Sequence, residues 1–302
     1  MKRSLIPVWI LLVLAFNSQI CWGAKEVRGS GKVVTEERQV KGFTGVELAT
    51  IGRLYIQIGT VEKLKIEAED NILPYLETEL DNGSLIIKNQ KRVDLRPQKP
   101  IRYYLTVKGL ERIVLSSAGD VEVPDINSER FTIISSSAGY LEMGDLETGF
   151  LEIMMSSAGD VSMGDVKARE AEVGISSAGD LSMEGVEVNS LGVRMSSAGD
   201  CSIKILKAES IDLSNSSAGS MIISEGQVKD QDISLSSAGN YQAKNLKSLE
   251  ATIRLSSVGS ATVNVKDHLN ATVSSLGSVY YVGSPEVDYR ITSMGKIKKI
   301  EN

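Results

Sequence analysis

The sequence predicts an all-β protein, a single-stranded right-handed parallel β-helix (a β-solenoid) with coils of about 20 residues and an irregular N-terminal cap. Three observations carry that expectation. The string SSAGD or a near copy recurs at one fixed spacing, the step from Ser116 to Ser136 being repeated without a slip as far as Ser256. Apolar and polar residues alternate in both halves of each repeat, which is the period of a strand and not of a helix. The stretches between the alternating segments are polar and carry Gly or Asp, as bends do.

Residues 1–23 read as a signal peptide and are set apart from the fold. Lys2 and Arg3 give a basic start, and the apolar run over residues 5–16 is short for a bilayer span. Cys21 and Gly23 then stand at the −3 and −1 positions of a cleavage site before Ala24. Lipid anchoring at Cys21 is the rival reading, and Ser18 and bulky Ile20 suit that motif poorly. The chain is therefore expected to be exported: periplasmic, on the cell surface or secreted. Losing Lys2 and Arg3 takes the formal net charge from −6 to −8. That balance gives no electrostatic reason to expect nucleic acid or an anionic membrane as partner. No later apolar run is long enough to cross a bilayer as a helix. Cleavage would leave Cys201 as the one cysteine, so no intramolecular disulfide is expected, and it would remove both Trp9 and Trp22.

Residues 24–115 are expected to hold the cap and the first, irregular coils. The stretch 40–59 alternates and contains ATIGR, which looks like a worn copy of the SSAGD corner. Residues 64–70 and 83–89 read as further strands. Between them, residues 71–80 have the apolar spacing of a short helix, with Pro74 near its start. A cap is needed because a bare terminal strand templates further pairing.

Residues 116–302 are expected to form the regular coils, continuous with the preceding region as one domain. The repeat begins at Ser116, Ser136, Ser156, Ser176, Ser196, Ser216, Ser236 and Ser256, and its glycines are Gly119, Gly139, Gly159, Gly179, Gly199, Gly219, Gly239 and Gly259. Looser copies follow from Ser274 and Thr292. Two residues after the glycine stand Val121, Leu141, Val161, Leu181, Cys201, Met221 and Tyr241, and two further on stand Val123, Met143, Met163, Met183, Ile203, Ile223 and Ala243. A second alternating segment carries Phe131, Leu151, Ala171, Leu191 and Ile211, then Ile133, Ile153, Val173, Val193, Leu213, Ile233 and Ile253. The segments between, such as 164–170 and 184–190, read as turn-rich arcs on a third, shorter side. One apolar residue, seven after the glycine, dips inward in most arcs: Ile126, Leu146, Val166, Val186, Leu206 and Leu246. Ten such coils at the ~4.8 Å strand spacing would make a rod roughly 50 Å long. The lysine-rich end, residues 295–302, would discourage end-to-end pairing.

The stretches VKGFTGVELATIGRLYIQIG and AEDNILPYLETELDNGSLIIK, followed by the repeated SSAGDV, resemble the putative auto-transporter adhesin, head GIN domain family over roughly residues 32–300. The resemblance implies a right-handed β-helix and export. It implies adhesion by name, and it brings no defined activity and no catalytic residue.

A catalytic serine is needed once, whereas this one is written in every coil. G-x-S-x-G is absent from the corners, and the single histidine, His268, marks one coil in a polar arc. The corner is instead read as architecture: small residues at a crowded bend, where glycine supplies φ > 0 and serine hydroxyls bond along the ladder. Asp160, Asp180 and Asp200 follow the glycine in three consecutive coils, with Asp120 before them, and are the metal candidates, for Ca²⁺. Two charges ~4.8 Å apart in water repel by only about 1 kcal/mol, so an exposed ladder stands without a cation. Asp also suits turns, because its carboxylate accepts local backbone N–H groups. Tyr140 interrupts the series and Ser220, Asn240 and Ser260 continue it uncharged. No metal and no cofactor are therefore expected. Cys201 reads as a small buried hydrophobe, and Met143, Met163 and Met183 as a core ladder. Tyr103–Tyr104 and Tyr280–Tyr281 are the aromatic pairs, each expected to turn one ring outward.

The function expected from these readings is a non-enzymatic exported module for adhesion or surface interaction, with an extracellular or cell-envelope protein or glycan as partner. The alternative is a β-helix that binds or cleaves polysaccharide. It would need a groove where the pattern breaks with clustered Asp, Arg, Lys or Tyr.

Overall fold

A computed structural model describes residues 24–176 and 178–301, so the signal peptide expected over residues 1–23, with Cys21, lies outside the described residues. The chain winds into a β-solenoid of about 9 turns with coils of about 20 residues. Successive coils pair in parallel at the repeat distance. Val121 pairs with Leu141, Leu141 with Val161, Val161 with Leu181 and Leu181 with Cys201. On the opposite side Ile133, Ile153, Val173, Val193 and Leu213 pair in the same way. The repeat enforces this register: a slip of one residue would turn every inward side chain of a coil to water.

The core is a stack of these ladders. The apolar positions at two, four, seven, twelve and fourteen residues past the glycine are buried in the regular coils, as in Leu141, Met143, Leu146, Leu151 and Ile153. A further buried ladder, sixteen past the glycine, continues the second side into the corner. It holds Met155, Ile175, Met195, Leu235 and Leu255, and two polar members, Ser135 and Asn215. Asn215 is satisfied within its own corner, donating to Gly219 O (2.7 Å) and accepting from Ser217 N–H (2.9 Å).

The arcs differ from the expectation. Leu181–Met195, Cys201–Asn215, Ser220–Leu235 and Asn240–Leu255 are each one strand, so the segment 184–190 is paired strand and not free turn. Coils above and below offer a hydrogen-bonding partner to both sides of the backbone. Polar composition there reflects outward-facing side chains, not a lack of pairing. The SSAG corner is the one break left in those coils.

The cap combines parallel and antiparallel pairing. Gly45–Ala49 and Arg53–Ile58 lie directly beneath the strands Arg112–Leu115 and Asp120–Val123, so ATIGR does stack under the first SSAGD corner. Beyond them, Lys63–Glu69 pairs antiparallel with both Val33–Arg38 and Arg102–Val107. Residues 71–80 are not a helix. A single 3-10 turn, Leu73–Tyr75, leads into the strand Leu76–Asp81, which forms a hairpin with Ser84–Asn89. Asn82 and Gly83 have φ of 47° and 75°, the two positive values of a two-residue hairpin turn. Asn-Gly fixes that turn, and Leu-Glu-Thr-Glu-Leu alternates as well as it repeats helically. Glu69 ties the cap together from inside: its buried carboxylate accepts the N–H of Gly31 (2.5 Å), Gln98 (2.8 Å) and Lys99 (3.3 Å).

The rod changes gauge near its C-terminal end. The steps from Ser256 to Ser274 and from Ser274 to Thr292 are shorter than the step from Ser236 to Ser256. The adjustment is made between Asn240–Leu255 and Ser260–Val273, whose pairing shifts register between Gln242 and Lys247 and again between Ser248 and Glu250. In these last coils the alanine of the corner becomes Val258, Leu276 and Met294, all more than half exposed. Lys296–Lys299 forms the final strand, with its lysines exposed.

Candidate functional site

The corner serines act through hydrogen bonds to the coil beneath. Ser136 and Ser176 each donate both backbone N–H (2.8 Å) and hydroxyl (3.2 Å) to one carbonyl, of Leu115 and Met155 respectively. The second serine does likewise, Ser137 Oγ donating to Ser117 O (2.5 Å). These hydroxyls are spent on the ladder, and the exposed His268 faces Glu286 (3.7 Å) on another side of the coil.

The glycines obey a different rule from the one expected. The residues with positive φ include Gly52, Gly226 and Gly283, but none of the SSAG glycines. Crowding selects glycine instead. A Cβ on Gly139, Gly159, Gly179, Gly219 or Gly259 would stand within 3.0 Å of the backbone oxygen of a glycine one coil below.

The aspartates are also ladder elements. Asp160 Oδ1 accepts the N–H of Asp180 (2.9 Å), Asp180 Oδ1 that of Asp200 (3.1 Å), and Asp200 Oδ1 that of Ser220 (2.7 Å). Above a residue without a carboxylate, the same N–H turns to the glycine carbonyl: Asp160 to Gly139 O (3.2 Å), Asn240 to Gly219 O (3.2 Å). A second series, Asp125, Asp145 and Asp165, works alike, Asp145 and Asp165 N–H bonding the carboxylate below at 2.9 and 2.8 Å. Its even spacing was legible in the sequence. Among the described residues, no three His, Cys, Asp or Glu side chains are grouped as metal ligands.

Cys201 is fully buried at its ladder position, and burial pushes its thiol up to about 12. Tyr103 is buried, whereas Tyr104 stacks on Tyr55 (5.3 Å between centroids) beneath Lys65 (4.2 Å).

What remains is the place where the coil shortens. There the third side opens into a groove of about 700 Å³, lined by Val228, Lys229, Lys247, Ser248, Leu249, Val265, Lys266 and Val282 among others. The gauge change builds it: residues 243–246 are skipped in the pairing with the next strand, Ser260–Val273, and Gly283 takes φ 101° against Val265 O. Beneath it lies a buried polar chain. Tyr241 OH donates to Gln231 Oε1 (2.7 Å), Gln231 Nε2 to Ser248 Oγ (2.8 Å), and Ser248 Oγ to Asn264 O (3.0 Å). Gln231 stands where other coils place Leu151, Leu191 and Ile211, and that substitution was the sequence signal for the site. Lys229 pairs with Glu209 (2.6 Å), which holds its ammonium above the ordinary lysine value. Lys266 lies 3.8 Å from Asp267.

Comparison with known proteins agrees with the coil architecture. A search of curated proteins finds no match. Among solved structures the chain is similar to a putative adhesin from Parabacteroides merdae, at 16% identity and a TM-score of 0.50, covering 92% of this chain and 100% of that one. It is similar also to a putative lipid binding protein and a putative adhesin, both from Parabacteroides distasonis. Their identities are 19% and 20% and their TM-scores 0.49 and 0.48, each covering 91% of this chain and 100% of the other. At 16% identity the likeness to the Parabacteroides merdae protein is one of fold. The family profile described as "Putative auto-transporter adhesin, head GIN domain" matches residues 42–204 and 171–285, and the chain belongs to that family.

Proposed function

We propose that the protein is an exported, non-enzymatic interaction module, a stiff rod that displays a binding site for an extracellular or cell-envelope partner. The observation that carries this reading is the contrast between the coils. Serines, glycines and aspartates of the regular coils are engaged in holding one coil on the next. The surface departs from that pattern at the gauge change, where apolar side chains and lysines line a groove. Membership of an adhesin-named family supports the same reading.

The test is binding of the chain from Ala24 onward to arrays of extracellular proteins and glycans, with a parallel glycan panel assayed for new reducing ends. Retention of a defined partner without cleavage is the expected result. Cleavage would transfer the protein to the polysaccharide-acting class. Amino-terminal sequencing of the exported protein should begin at Ala24, and an uncleaved cytoplasmic chain would sink the export reading.

A further inference from the structure

We infer that the groove at the gauge change binds an anionic amphiphile, a single apolar chain ending in a carboxylate, as in a fatty acid; this deepens the interaction-module reading and rests on it. The charged side chains in the groove lining are all lysines; Glu209 pairs with Lys229 and Asp267 lies beside Lys266, both carboxylates standing outside the lining. Lys247 has Gln227 and Asn264 as its strand neighbours, where the corresponding ladder in earlier coils alternates Glu147, Lys167, Glu187 and Lys207. Alternation cancels charge coil by coil, and its end at Gln227 leaves Lys247 without a facing carboxylate in the ladder. Lys229 and Lys266 stand on either side of it in the lining.

The floor between the lysines is apolar and recessed. Val228 and Val282 are buried beneath the rim, and Leu249, 41% exposed, forms a wall. Three classes of occupant fit this arrangement poorly. A sugar ring asks for an aromatic face, and none of the lining side chains is aromatic. An added peptide strand needs a free backbone edge, but Ser248, Val265 and Gly283 already pair with one another across the floor. A bilayer is entered by protruding apolar side chains, whereas these valines lie below the rim. A detached acyl chain has no hydrogen bonds to satisfy, can descend to the valines, and leaves its carboxylate among the lysines. The volume of about 700 Å³ falls in the range of small-ligand clefts.

Calorimetric titration of the chain from Ala24 onward with dodecanoate, below its micellar concentration, tests the inference. Affinity should rise roughly threefold to fourfold per methylene from octanoate to dodecanoate, and dodecylammonium should bind at least tenfold more weakly. The double variant Lys247→Glu/Lys266→Glu and the exposed-site variant Leu249→Asp should each lose tenfold or more, with melting temperatures unchanged. Equal binding of dodecylammonium, or full binding by both variants, would overturn the assignment. So would failure of dodecanoate alongside capture of phosphatidylglycerol vesicles, which would make the partner a membrane surface. The two readings fail separately. An array partner lost in the double variant while wild type ignores dodecanoate refutes the amphiphile and keeps the module. Dodecanoate binding with empty arrays keeps the amphiphile and refutes adhesion.

Discussion

Replacing Gly159 by alanine separates two reasons for a glycine at the corner. Its φ is not positive, so alanine suffers no conformational penalty there. The obstacle is space: a Cβ would meet Ser137 O and Gly139 O, both backbone atoms of the coil below, inside 3.0 Å. Relief requires the coils to part beside the bonds from Ser156 N–H to Ser135 O (2.8 Å) and Asp160 N–H to Gly139 O (3.2 Å). Overpacking of this kind costs about 1–3 kcal/mol, and weakening one ladder bond adds about 1 kcal/mol. Against that, alanine lowers the entropy of the unfolded chain by the equivalent of about 0.4–1 kcal/mol. The net expectation is a loss of about 1–3 kcal/mol, seen as a lower urea midpoint by circular dichroism. Gly174→Ala is the control, because its nearest neighbour would be Ile153 O at 3.8 Å. That variant should be neutral or up to about 0.5 kcal/mol more stable. Gly159→Asn should be no better than alanine, since asparagine rescues positive φ and not crowding. Equal stability of Gly159→Ala and Gly174→Ala, or rescue by asparagine, would refute the reasoning.

Four further outcomes are expected. Asp180→Ala should cost about 1 kcal/mol or less, because Asp200 N–H can turn to the glycine carbonyl as Asp160 does; Asp180→Asn should cost less still, and millimolar Ca²⁺ should leave the wild-type melting temperature unmoved. Glu69→Ala should cost about 3 kcal/mol or more, since three backbone N–H groups lose a buried acceptor; faster amide exchange at Gln98 and Lys99 would report it, and unchanged exchange would count against the cap assignment. Stability should fall on the alkaline side. The Cys201 thiol stays protonated to about 12 when folded, whereas the unfolded thiol titrates near ~8.5, so its contribution is full below that value and is lost at about 1.4 kcal/mol per pH unit above it. Burial raises Tyr103 and Tyr241 as well, adding loss of the same sign at higher pH; a urea midpoint that stays flat to about pH 11 would contradict this. Finally, Val258→Ala, Leu276→Ala and Met294→Ala restore the residue of the other corners and should each change stability by under about 0.5 kcal/mol; losses near ~2 kcal/mol would place those side chains in the core.

The sequence by itself determined the coil. A fixed repeat carrying a period-two alternation allows one stacking, in which each position meets its own copy, so the inward ladders and the SSAG corner could be read without coordinates. Three things waited for the tertiary structure. The cap hairpin at Asn82–Gly83 was masked by an apolar spacing that serves helix and strand equally, and pairing with Ser84–Asn89 decided it. The reason for the corner glycines was hidden because φ and the oxygen one coil below are not local properties of SSAG. The groove arises from a mismatch between neighbouring coils of unequal length, and a mismatch has no size or lining until the two are laid on each other. Periodicity specifies what repeats; the shape of a break depends on how both sides of it pack.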